Sequence, residues 1–158
     1  MISDWDNFFV AEVGASAALA GLVFVAVSIN LSRILQLQQL PARAAEALAI
    51  LLSVLFVSSC GLVPGQSATA FGAEVLFISG FLWVCLTVSF LRHRKVYGKA
   101  FIYYRITFSQ LPPLPFMAGA VLLLCGRANG MHLVVAGILL SFAIGVLDAW
   151  VLLVEILR

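Results

Sequence analysis

Five polar side chains inside or at the edge of long apolar runs are candidates for chemistry, and Asp148 is the one with the most to explain. A carboxylate near the centre of a membrane span costs about 2.5 to 3.5 kcal/mol on insertion scales, so something must pair it or solvate it. Two arrangements would do so: an ion pair with Arg33, Arg92, Arg94 or Lys95 at the inner end of the spans, or exposure to a water-filled path. Glu155, seven residues later on the same helical face, is close enough to the interface to be solvated directly. Glu12, Asn30 and Ser141 complete the set of candidate pathway or buried polar residues.

No other residue pattern points to a reaction. There is no Gly-x-Ser-x-Gly elbow, no Ser/Lys constellation and no His-Glu-x-x-His helix, so an intramembrane protease is unsupported. His93 and His132 lie outside the apolar cores at opposite faces, with no second ligand at metal-binding spacing. Cys60, Cys85 and Cys125 form no Cys-x-x-Cys pair, and only Cys60 with Cys125 share a membrane face where a disulfide is conceivable. The expectation is a chain without catalytic residues, metal or cofactor, and not an enzyme.

The elements that hold these residues follow from composition. The chain is 63% hydrophobic and 10% charged, with mean hydropathy +1.13, whereas a soluble domain carries about 25% charged residues. A hydrocarbon core of about 30 Å takes about 20 apolar helical residues per crossing. The sequence accordingly predicts a single all-α domain over 1–158, a polytopic transmembrane helical bundle. Its five spans run at about 8–31, 44–63, 69–91, 106–125 and 131–157. The acidic start Met1-Ile2-Ser3-Asp4-Trp5-Asp6 does not fit a cleaved secretory signal, so the first run reads as a retained helix. The fourth span contains Pro112, Pro113 and Pro115, each of which removes a backbone donor and crowds the preceding turn, and it should be kinked or broken there. A re-entrant fourth segment, leaving four crossings, is the alternative.

Orientation is set by Lys and Arg in short loops. The first linker holds Arg33 and Arg43, and the third loop holds Arg92, Arg94, Lys95, Lys99 and Arg105. The second loop holds no basic residue and the fourth only Arg127. Five spans with the N-terminus outside and the C-terminus inside satisfy the rule. Trp5, Phe8 and Phe9 then supply an outer aromatic belt, and Tyr97, Tyr103, Tyr104 and Trp150 an inner one. The basic loop, through Arg92, Arg94, Lys95 and Lys99, could hold anionic phospholipid headgroups, although topology alone also accounts for it. Nucleic acid is not an expected partner at a net charge of +2.

At about 100° per residue, Gly14, Ala18, Gly21, Val25, Ser28 and Ser32 share one arc of the first span. Gly137, Ser141 and Gly145 repeat the pattern on the last, continuing into Asp148, Leu152 and Glu155. Small residues at this spacing let helices approach closely in lipid, so Gly14, Ala18, Gly21, Ser28, Gly137 and Gly145 are expected at helix contacts. Glu12, Ser16, Val23 and Asn30 fall on the opposite side of the first span. Glu46 and Glu74 are expected in first helical turns, where a carboxylate meets the positive end of the helix dipole.

The stretch Glu12-Val13-Gly14-Ala15-Ser16-Ala17-Ala18-Leu19-Ala20-Gly21-Leu22-Val23-Phe24-Val25-Ala26-Val27-Ser28 resembles the opening helix of small, uncharacterised multi-pass proteins of bacterial inner membranes. That resemblance covers about 25 residues; it implies the bacterial inner (cytoplasmic) membrane and no activity. The functional expectation is a homo-oligomeric channel or transporter-like path for a small ion, a cation by preference, or a solute. The alternative is a non-enzymatic regulatory or scaffolding protein that binds another membrane complex.

Overall fold

The computed structural model describes residues 5–36, 40–93 and 108–157. The described elements are all helical: α1 (Asp6–Ile29), α2 (Leu31–Gln36), α3 (Leu40–Gly61), α4 (Ala68–His93), α5 (Pro113–Leu124) and α6 (Gly130–Leu157). Four of them, α1, α3, α4 and α6, are long and apolar enough to cross a membrane, and residues Phe108–Leu124 form a shorter apolar stretch. Membrane helices suit such a sequence because each segment satisfies its own backbone groups where water is absent.

Local chemistry fixes the boundaries. Asn30 is the joint between α1 and α2: its side-chain amide donates to the Ala26 carbonyl at 2.9 Å, and its own carbonyl accepts from Arg33 and Ile34 at 3.1 and 2.9 Å to start α2. Ser67 caps α4, its hydroxyl accepting from the Ala70 amide at 3.1 Å, which satisfies one donor left over at a helix start. The end of α5 is a Schellman closure, with Gly126 at φ +74°, its amide donating to Leu123 and that of Arg127 to Leu122. Glycine adopts that left-handed backbone without the Cβ clash other residues meet.

Several boundaries differ from the sequence expectation. α3 begins at Leu40, so Pro41 and Arg43 lie inside the helix and not in a linker. Pro41 fits because the first-turn amides have no intrahelical acceptor. Glu46 and Glu74, each six residues past the start of its helix, sit in the second turns of α3 and α4, away from the exposed amides of the first. The expected 106–125 span contains three helical residues, 108–110, a turn at Leu111 and Pro112, and then the twelve-residue α5. Pro112 caps α5 and Pro113 starts it, so these prolines occupy positions whose missing amides cost least.

α3 is the centre of the bundle, packed against α1, α4 and α6, while α5 fits between α4 and α6. The largest core cluster gathers Phe9, Val54, Val57, Phe71, Val75, Phe116, Leu123, Val134 and Ile138 from all five long or medium helices. Phe9 fills the space beside Gly61, where a Cβ would lie 2.6 Å from the ring. It also meets Phe71 edge-on at 5.6 Å between centroids. α5 and α6 approach backbone to backbone: a Cβ on Gly130 would sit 2.5 Å from the Gly119 carbonyl oxygen, and one on Gly119 2.7 Å from that of Gly130.

Candidate functional site

Polar groups are buried in this bundle at two depths. One set is built on α3, where Arg43 and Glu46 are one turn apart and only 9% and 8% exposed. Glu46 accepts a 2.6 Å hydrogen bond from the Ser89 hydroxyl of α4. Close by along α4, the Gln110 amide donates to Thr87 at 3.4 Å, and Thr87 donates to the Trp83 carbonyl at 2.7 Å. Arg43 keeps its Nε without a hydrogen bond, although the residue has other polar partners.

Asp148 reaches the same depth from α6. Gly145 rests on Leu51, where a Cβ would come 3.0 Å from Leu51 Cδ2. The helices are antiparallel, so three residues further along α6 corresponds to about 4.5 Å toward Leu48 on α3. Asp148 is half-buried there and has a polar or electrostatic partner.

The other set lies around α1, toward the opposite end of the bundle. Glu12 is half-buried, and its Oε2 is enclosed without a hydrogen-bond partner. Since Phe9 packs on Gly61 in an antiparallel pair, Glu12 lies level with Ser58, three residues back along α3. Ser58 and, deeper on α6, Ser141 are both fully buried with unpartnered hydroxyls. Ser16 is satisfied locally by the Glu12 carbonyl at 2.6 Å, as polar side chains in membrane helices commonly are. Asn30, half-buried, is committed to the joint between α1 and α2.

The expected division of α1 into two faces is present, with Ser16 and Val23 buried and Glu12 and Asn30 half-buried on one side. Its small-residue face behaves otherwise than expected. Gly14, Ala18, Gly21, Val25 and Ser28 are all exposed, and a Cβ on Gly14 or Gly21 would meet nothing within 4 Å. Among the described residues that face packs no helix, because α1 leans on α3 through Phe9, Ser16, Ala20 and Val23 instead. On α6 the expectation holds: Gly137 faces the Phe116 ring at 2.9 Å from a built Cβ, and Gly145 faces Leu51.

The remaining expected residues are less assembled. Arg92 is exposed at the end of α4; Arg94, Lys95 and Lys99 lie outside the described residues, as do Tyr97, Tyr103, Tyr104 and Arg105. Of Glu155 only the helical backbone is described. Cys60, Cys85 and Cys125 are free thiols, so the conceivable Cys60–Cys125 bridge is not formed. Among the described residues no group of three His, Cys, Asp or Glu could hold a metal ion.

Sequence reasoning missed Arg43, Glu46, Ser89 and Ser58 as interior groups. The signal for the first two was Pro41: read as a helix start, it places Arg43 and Glu46 at i, i+3 on one inward face. Ser58 had no comparable mark among so many serines. Comparison with protein-family models, with curated proteins and with solved structures gives no match to this chain, so its function is read from these buried groups alone.

Proposed function

We propose that this chain is a five-span protein of the bacterial inner membrane that assembles with copies of itself and provides a path for a small ion, a cation by preference, or a solute. The observation that carries the reading is the burial of Glu46 and half-burial of Glu12 and Asp148 in a mostly apolar bundle. Ionisable groups at such depth are expensive to insert, and they serve ion or substrate pathways more readily than they serve stability. The shorter 108–124 stretch counts as the fourth crossing in this reading. It runs antiparallel to α4, from Gln110 beside Thr87 to Leu123 beside Gly72, a distance of fifteen α4 residues or about 22 Å. The basic residues from Arg92 to Lys99 then face the cytoplasm, where anionic lipid headgroups would meet them.

Purified protein in liposomes should conduct, and Asp148→Asn and Glu12→Gln should each lower the flux by about tenfold, the effect of removing one charged contact from a path. Equal flux from well-folded wild type and both variants would remove these carboxylates from the mechanism.

A second reading, a non-enzymatic scaffold for another membrane complex, is favoured by one feature, the outward small-residue face of α1. Crosslinking in native membranes separates the two. A foreign protein captured at α1 supports the scaffold, and a second copy of the chain supports the homo-oligomer.

A further inference from the structure

A long apolar groove runs down the seam between α1 and α6, because α1 leans on α3 and touches α6 only lightly. Its upper part, an open cleft, is lined by Glu12, Leu19, Phe142 and Val146. Its lower part, about 190 Å³, shares Leu19 and Val146 and ends at Ala26 and Trp150. From Glu12 to Ala26 is fourteen residues of helix, about 21 Å. The lining is apolar throughout except at one end, where the Glu12 carboxylate makes no hydrogen bond among the described residues and has one oxygen enclosed.

We infer that this groove binds a lipophilic primary ammonium, an amphiphile with one NH₃⁺ head and one linear apolar tail. The head supplies what Glu12 lacks, a positive charge and N–H donors together, and charge-assisted bonds of that kind are the strong ones away from water. The tail lies along Leu19, Phe142 and Val146 toward Trp150, removing apolar surface from a cleft whose length exceeds the roughly 15 Å of hydrocarbon in one leaflet. An alcohol of the same tail lacks the charge, and a trimethylammonium lacks the donors, so both bind less well. Any such ligand reaches the groove sideways through the bilayer, since α1 and α6 leave it open along their exposed flank.

This inference deepens the pathway reading by naming the class of cation. It rests on that reading only for transport; binding stands or falls separately. The test uses Trp150 as a reporter in the full chain, with Trp5→Phe and Trp83→Phe, held in phosphatidylcholine nanodiscs. A hexadecylamine carrying bromine at the tail end should quench Trp150 fluorescence, and Glu12→Leu should weaken the apparent affinity by about tenfold, the worth of one charge-assisted hydrogen bond. Val146→Phe, which fills the groove and leaves Glu12 in place, should abolish the saturable quenching. The matching bromo-alcohol and bromo-trimethylammonium should resemble the Glu12→Leu case. Equal quenching by amine and alcohol, or quenching that survives both Glu12→Leu and Val146→Phe, overturns the site. Saturable amine binding in a protein that shows no flux in liposomes keeps the site and removes the pathway.

Discussion

α1 and α6 carry the same kind of small-residue face and use it in opposite ways. On α6, Gly137 and Gly145 admit Phe116 and Leu51 so closely that a Cβ would lie 2.9 and 3.0 Å from them, and the neighbouring Gly130 lets α5 approach to the backbone. On α1, Gly14 and Gly21 border open space, and the helix is held by its other side, through Phe9, Ser16, Ala20 and Val23. Spacing therefore identifies a surface capable of close approach and does not identify the partner. In a membrane, where lipid tails are as apolar as leucine, the partner is whichever surface fits, and for α1 none of the described helices supplies it.

The difference can be broken by substitution, with the largest effect where backbone meets backbone. Gly130→Leu should prevent a stable fold, since even a Cβ would lie 2.5 Å from the Gly119 carbonyl oxygen and neither backbone can yield; loss of the folded fraction in detergent checks it. Gly145→Ala is milder, because the obstructing atom is the end of the Leu51 side chain at 3.0 Å. It should cost about 1 kcal/mol in an unfolding titration, at the low end of overpacking effects. Gly14→Ala and Gly21→Ala should leave the stability of the isolated subunit within about 0.5 kcal/mol, as substitutions facing open space do. Ser141→Ala should be neutral by the same titration, because its buried hydroxyl has no partner to lose. A cost of about 2 kcal/mol there would instead reveal a hydrogen bond that the bundle depends on.

Much of the architecture was legible because it follows from solvent. Long apolar runs ending in charge gave the helices α1, α3, α4 and α6, and Gly126 and Pro64-Gly65 marked turns by backbone geometry that few other residues accept. What escaped were features decided by neighbours. The sequence puts Pro41 and Arg43 in a linker and Glu46 in a first turn, whereas Pro41 opens α3 and both Arg43 and Glu46 are buried. Glu46 belongs to Ser89, 43 residues away, and no local pattern announces such a pair. Asp148 stands out in the sequence as an acid inside an apolar run, but its setting depends on Gly145 docking against Leu51, which only the packed helices reveal.

In the proposed homo-oligomer, α1 offers its small-residue face to a second copy, whereas α6 uses its own against α3 and α5. Cysteine scanning in native membranes tests this most directly, using Gly21→Cys and Gly145→Cys in a chain whose Cys60, Cys85 and Cys125 have been replaced. Oxidation should give a disulfide-linked dimer of the chain through Gly21→Cys and none through Gly145→Cys. Absence of self-crosslinks at Gly21→Cys, or their appearance at Gly145→Cys in folded protein, would contradict it.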